Sequence, residues 1–427
     1  MNEPCSRSSP PRRKEDQRTA RADREPEPPS RRSQGGLDWL NFFMADVQTG
    51  FGSFVSFYLA DQGWSEENVG FVLTAGGLSG VVGQIPGDAL VDAMRRKRLL
   101  IAVGTLMIAA SAVLLALSRD FPAVFAAEVL HGATGAIIGP AIAAVSLGLV
   151  GRRAMSGRIG RNQRFNAAGN ALTAASLGVI GSYISKSAIF LAVAAMALPT
   201  LAALGWIRPR EIAYGRARNA AGRHEPGDMQ RIFDLVKNRP LLIFAAAAVL
   251  YRFADASMLP LVSENLGSGR ERHAALVMAA IIVVPQIIVA VAAPWVGHYA
   301  EQWGRRPVLL IGFGLEPLRG VLFALSASWY STIAVQILDG ITGAIITVMT
   351  VLIMTDLTAG TGRFNLAQGA VGTCTGVAAA VSTTATGVIA TGFGRPASFL
   401  TTAAVAALAV LLLWPYLPES RPKEYLD

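Results

Sequence analysis

Gly297-His298-Tyr299-Ala300-Glu301-Gln302-Trp303-Gly304-Arg305-Arg306-Pro307 lies between two long apolar runs. Its pattern is a glycine, an acid four residues on, a glycine at seven and then two arginines. An imperfect copy stands earlier, Asp88-Ala89-Leu90-Val91-Asp92-Ala93-Met94-Arg95-Arg96-Lys97. The acids of the two copies, Asp92 and Glu301, are 209 positions apart. Three further matches follow in the same order. Ala45-Asp46 pairs with Ala254-Asp255, again 209 apart. Val129 to Ile138 pairs with Ile337 to Ile346 at 208, and Arg164-Phe165-Asn166 pairs with Arg363-Phe364-Asn365 at 199. Four matches in one order mean duplication, with a shorter loop in the second half.

Working outward, the flanking runs are each about 20 residues long, the length that crosses a bilayer as helix. The whole chain is 52% hydrophobic and only 16% charged, which excludes an ordinary soluble protein of this length. Lipid-exposed backbone must bond within its own segment, so the spans are helical. The predicted fold is an all-α membrane protein of about twelve transmembrane helices in two pseudo-symmetric six-helix bundles. The first six spans are expected at 37–60, 67–91, 99–118, 121–150, 164–185 and 187–207. The last six are expected at 240–262, 274–299, 307–326, 329–354, 363–391 and 396–416.

The domains follow: a disordered basic tail at 1–36, a first bundle at 37–207, a polar middle loop at 208–239, a second bundle at 240–416 and a tail at 417–427. The middle loop is expected to end in a short amphipathic helix near Met229–Val236. The net charge of +9 does not call for nucleic acid. Arginines gather in alternate loops, at 95–98, 152–161, 208–223 and 305–306. By the positive-inside rule these loops and both termini are cytoplasmic, in a plasma (inner) membrane. Cys5 sits in the polar tail and Cys374 in an apolar run, so no disulfide is expected.

With the duplicated loop on either side of a middle linker, the chain resembles the major facilitator superfamily (MFS) from about 37 to 416. The second copy fits the family's G-x-x-x-D/E-x-x-G-R-R loop motif. The first departs from it: its leading glycine is displaced to Gly87, and Arg95 holds the place of the second glycine. The resemblance implies that the loop residues Gly87, Asp92, Arg96, Gly297, Glu301, Gly304, Arg305 and Arg306 hold the halves together on the cytoplasmic side. Asp92 is expected near the start of span eleven, around Gly362-Arg363, and Glu301 near Arg161-Asn162. Acids there meet the positive ends of helices, and the contacts break when the cleft opens inward.

Charged and polar groups inside spans are the candidates for the cavity, because each is costly in hydrocarbon. Asp46 stands about ten residues into span one, and Asp255 is its repeat mate. Arg252, one turn before Asp255, either pairs with it or meets a substrate anion. Glu128 and His131 occupy places where many family members carry arginine and glutamine. They read either as a proton relay or as structural groups. Their repeat mates are Gln336 and Asp339. Asn170 reads as a further cavity residue. Glu316 and Arg319 in span nine read as a peripheral structural pair.

No phosphate-binding loop, zinc spacing or nucleophile elbow occurs, so neither ATP drive nor enzymatic catalysis is expected, and no cofactor or metal is called for. The family's fifth-span antiporter pattern lacks its proline here. The reading is a secondary transporter, monomeric, for a small-molecule substrate and protons. Export is placed ahead of proton-linked uptake. A sensor or scaffold that has lost transport is the alternative of another class.

Overall fold

The computed structural model describes residues 29–49, 51, 53–94, 96–213, 238–268, 274–326, 328–358 and 364–419. Most of the expected basic tail, most of the middle loop with its expected amphipathic helix, and the Gly362-Arg363 contact of Asp92 lie outside the described residues.

Span one is broken. Helix α1 (Arg31–Thr49) and helix α2 (Ser53–Asp61) meet around Phe51. α1 begins six residues before span one was expected to start. Its first turn is docked: Ser33 is fully buried and its hydroxyl accepts from the Arg208 N–H at 3.0 Å. Ser30 donates to Glu211 through both its backbone N–H and its hydroxyl, at 3.0 and 2.9 Å.

Span two is α3 (Glu66–Ala93), capped by the Ser65 side chain, and span three is α4 (Lys97–Leu117). Spans four and five share one helical trace, α5 (Phe121–Tyr183), which Gly151 interrupts with φ 73°. A left-handed φ breaks the helix at a residue that bears no Cβ penalty, so the trace turns back there. Span six is α6 (Lys186–Ala195) followed by α7 (Ala197–Trp206).

Six single helices make the second half: α8 (Arg239–Ser268), α9 (Ala274–Gln302), α10 (Arg305–Leu325), α11 (Trp329–Leu357), α12 (Phe364–Phe393) and α13 (Arg395–Tyr416). Sharp starts have local causes. A Ser328–Ser331 capping box opens α11, and Gly394 at φ 86° followed by Pro396 opens α13. Among the described residues, nine segments are long and apolar enough to cross a bilayer. Spans one, two and five miss that mark, and each packs across the seam between the halves.

Twelve crossings put both termini on one side of the membrane, called here the terminus side; the other is the far side. The first half has its own apolar core, built on Leu37, Phe54, Ile101, Val145 and Phe190 among others. The second half is filled by Phe244, Leu309, Phe313 and Met349, with a separate cluster around Met258 and Phe399. The halves touch along three pairs: α3 with α12, α2 with α8, and α5 with α9.

These seams are tight on the far side and open on the terminus side. Along α12, a Cβ added at Gly387 would lie 2.4 Å from Glu66 O, and one at Gly70 would lie 2.3 Å from Thr383 O. At Gly376 the nearest atom, on Val81, is 3.1 Å away, and at Gly372 and Gly369 nothing lies within 4 Å. Thr74 anchors the closed part, donating to Ala380 O at 2.5 Å and accepting from the Thr384 hydroxyl at 2.7 Å. Far-side contacts repeat elsewhere: Gly267 meets Phe57 O, and the Ser182 hydroxyl accepts from the Leu276 N–H at 3.2 Å. Glu66 and Arg395 form an ion pair across the seam, with Arg395 also donating to Asn265 at 2.9 Å.

Candidate functional site

Between the open ends lies a cleft. Its wall on the second half encloses about 230 Å³ and includes Phe244, Tyr251, Arg252, Thr350, Gln368 and Thr375. Apolar walls with a few placed polar groups are the usual composition of a small-solute site. Helices α8, α10, α11 and α12 each contribute, because their cleft faces carry the few polar residues that a lipid face would exclude.

Behind this wall stands a buried charge cluster. The Arg319 guanidinium is 1% exposed and reaches three acids: Asp339 at 2.8 Å, and Asp255 and Glu316 each at 3.0 Å. Asp255 also accepts from Arg252 at 2.6 Å. Glu316 and Arg319 are therefore not a peripheral pair. Arg319 crosses from α10 to α8 and α11, and ties its neighbour to the two second-half acids of the expected cavity set, Asp255 and Asp339. The intrahelical i,i+3 spacing of Glu316 and Arg319 hid this, since it satisfies a local pair equally well.

Gln336 faces elsewhere. It is buried and donates to the Ile281 carbonyl at 2.9 Å, joining α11 to α9. Its repeat mate Glu128 is 3% exposed, packs against Gly76 of α3, and its Oε1 has no hydrogen-bond partner. His131, one turn on, stacks flat on Phe51 with ring centroids 3.8 Å apart. No hydrogen bond joins it to Glu128 among the described residues. Phe51 marks the break in span one, so His131 packs against the point where that span unwinds. Asp46 lies in α1, and its side chain is outside the described residues.

The terminus-side end of the first half carries an aromatic cluster. Trp39 contacts Phe42, Phe43 and Phe165 at centroid distances of 5.3, 5.6 and 6.2 Å. Asn170 donates to Asn166 at 3.1 Å on α5. Below them Asp38, 2% exposed, is clamped by Arg158 and Arg161. The hydrogen bond and charge of Asp38 raise the Arg161 pKa above its ordinary value, so that arginine stays charged. It is thus held within its own bundle. Glu301 is exposed, and among the described residues no ion pair joins it to Arg161. With the halves parted on this side, the expected bracing contact has no partner in reach.

In the loops, Gly304 forms the turn at φ 99°, and a Cβ there would lie 2.6 Å from Glu419 Oε2. Glu419 accepts the backbone N–H groups of Arg305 and Arg306 at 2.8 and 3.1 Å. A carboxylate thus sits at the positive end of α10. Arg305 donates to Ala300 O at 3.2 Å and pairs with Asp356 at 3.4 Å; Arg306 donates to Trp414 O at 2.5 Å. Gly297 lies inside α9 with open space beside it.

The first copy uses different residues from those the motif points to. Lys97, fully buried, donates to Val91 O, and Arg98 donates to Leu204 O at 2.9 Å. Lys97 and Arg98 therefore occupy the places of Arg305 and Arg306. Arg96 is exposed, the N-cap of α4. Gly87 lies within α3, where an added Cβ would lie 3.2 Å from Ala136 O, and serves close helix packing rather than a turn. The side chain of Asp92 is outside the described residues. Counting back from the acids puts the match one residue too early, because the first loop holds one more residue after its acid than the second.

The family model described as Major Facilitator Superfamily matches residues 38–315 and 256–427. The chain belongs to the major facilitator superfamily. Within it, two MFS-type transporters from two strains of Mycobacterium tuberculosis, named as uncharacterised, are each 38% identical over 389 residues. The match covers 90% of this chain and 93% of theirs. The nucleoside transporter NupG superposes with a TM-score of 0.72 at 14% identity, over 90% of this chain and 98% of that one. The D-xylose-proton symporter gives 0.66 at 14%, over 91% and 97%. A mutant of the peptide transporter POT gives 0.70 at 13%, over 89% and 93%. At these identities the structural likeness establishes the MFS fold. The chain is an integral membrane protein of a transporter family.

Proposed function

We propose that the chain is a proton-coupled secondary transporter of a small organic solute, which works by rocking its two bundles about the central cleft. The graded seam along α3 and α12, closed at Gly387 and open at Gly369, carries this reading. A pair of helices that meets at one end only is a hinge-like contact that rocking can reverse. The bundles are 37–207 and 240–416, joined by 208–239. The arginine-rich loops support cytoplasmic termini at a plasma membrane, and in that orientation the conformation is the inward-open one. A complete cleft in each chain supports a monomer.

Proton coupling rests on two positions. Glu128 is a buried carboxyl facing α3 with no cation beside it among the described residues, a place where a charge is costly unless a proton comes and goes. The cluster on the other wall holds three carboxyls against two guanidiniums. Asp46, Asn170 and His131 complete the first-half set in this reading, with His131 reporting the opening of span one.

The test is reconstitution into vesicles with a trapped pH dye, followed by a broad solute panel. A matching solute is expected to drive proton movement, and Glu128→Gln to abolish that movement while the solute still binds. Proton movement in Glu128→Gln at the native rate would remove Glu128 from coupling. Absence of any solute-dependent flux would favour the sensor or scaffold reading. Counterflow from either face reads whether export or uptake is the native direction.

A further inference from the structure

Arg252 differs from every other charged group of the second-half cluster. Its side chain is 46% exposed and lines the cleft, whereas Arg319 is 1% exposed. Its ion-pair partner among the described residues is Asp255, through one terminal nitrogen. A guanidinium offers five N–H donors in a planar fork, so most of its donor edge is free for a ligand. Asp255 is shared: one oxygen meets Arg252 at 2.6 Å and the other meets Arg319 at 3.0 Å. If Arg252 turns away, Asp255 keeps a cationic partner. Arg252 is therefore an exchangeable cation at the cleft surface, with no orphaned charge left behind.

What surrounds it is apolar and aromatic. Tyr251 and Phe313, rings 5.1 Å apart, line the same cavity with Phe244. The first half carries its own aromatic cluster, Trp39 with Phe42, Phe43 and Phe165. The charge count adds a second constraint. Asp255, Glu316 and Asp339 already exceed Arg252 and Arg319 by one carboxyl. Tyr251 also faces Asp255, together with Glu316, Arg319 and Asp339. An incoming carboxylate would widen the excess, which a low-dielectric site resists.

We propose that the solute is a small organic anion with an apolar, ring-bearing body, whose carboxylate takes Arg252 from Asp255 and binds together with a proton. The proposal rests on the transporter reading above and adds to it the class of solute and its mode of coupling, anion and proton on one side of the cycle. No covalent step is involved: one proton adds to a carboxyl of the cluster as one anion enters.

The experiment uses the full chain purified in detergent and titrated calorimetrically with benzoate and phenylacetate, their neutral amides, and phenethylammonium. The acids are expected to bind roughly 10-fold or more tightly than the amides, as a charge-assisted bidentate contact allows. Binding of the acids takes up a proton, read from the buffer dependence of the heat, and tightens as pH falls from about 8 to about 6. Arg252→Gln is expected to erase the preference for acid over amide while leaving amide binding unchanged. If Arg252→Gln loses acids and amides alike, Arg252→Lys decides: a surviving acid preference supports the proposal, and its loss overturns it. Amide or ammonium binding as tight as that of the acids overturns it too, as does acid affinity unchanged in Arg252→Gln. Vesicle counterflow separates the two readings. Flux of neutral or cationic solutes alone keeps the transporter and discards the anion; acid binding intact with no flux of anything does the reverse.

Discussion

Arg319 and Arg252 sit one helix apart and do different work. Arg319 faces three carboxyls in a site with almost no water. Removing it strands them, so Arg319→Met is expected to destabilise the fold by about 3–5 kcal/mol. Arg252→Gln removes a half-exposed partner from an acid that keeps another, and is expected to cost about 1 kcal/mol or less. Paired melting curves in detergent check both; equal losses would contradict the shared-acid geometry. Outside the spans, Glu211 gives a pH dependence with a defined sign. Burial acts to raise its pKa, but hydrogen bonds from the Ser33 and Ser30 hydroxyls and the Ser30 N–H, with Arg208 nearby, leave it below its ordinary value. A carboxyl depressed in this way stabilises the docked start of α1 at neutral pH. That contribution is lost as pH falls through the depressed value. The melting difference between the native chain and Glu211→Gln is expected to shrink to nothing in acid and to be full near neutrality.

Elements obey simpler rules. Helices α4, α10 and α13, each 21 or 22 residues long, read directly as spans because ~20 residues cross the hydrocarbon. Spans one, two and five are harder to read, since their polar and glycine content serves the seam rather than the lipid. No proline lies where α1 and α2 meet; Phe51 there is flanked in the sequence by Gly50 and Gly52 and stacks on His131. Gly304 illustrates a turn legible in the motif: φ 99° with ψ 166° is a region nearly restricted to glycine. Gly304→Ala is expected to cost about 1–3 kcal/mol and to free the tail carboxylate of Glu419, seen as faster proteolysis near the C-terminus. Native-like proteolysis would show that the turn tolerates a side chain. Along the seam, Gly387→Leu places a side chain where only a backbone carbonyl fits. It is expected to hold the far side apart, lowering the labelling of Cys374 from the terminus side.

For the whole molecule, the conformation is set by which end of the seam carries the better contacts. On the far side these are the Thr74 hydroxyl cluster, glycine-to-backbone approaches and the Glu66–Arg395 pair with Asn265. Glu264, 3% exposed, stands beside that pair. A balance of a few kcal/mol between two states responds to single contacts. Arg395→Ala is therefore expected to shift the population toward far-side opening. Spin labels placed on α2 and α8 at that end would report a longer distance; an unchanged distance distribution would mean that the glycine approaches alone keep the far side shut.

The helical spans, the duplicated halves and the membrane setting were determined by the sequence alone. Each is a local or periodic property: apolar length, loop charge and repeat spacing need no partner. Membership of the superfamily was legible in the loop motif for the same reason. Only the tertiary structure decided that Arg319 belongs with Asp255, 64 residues away, and with Asp339. It also moved the buried loop cation from Arg96 to Lys97, turned Gln336 toward Ile281, and showed which end of the cleft is open. Those outcomes depend on how helices rotate and cross, where a shift of one residue turns a side chain by about 100°. They also depend on a balance between two ends of one seam, which no single stretch of chain contains.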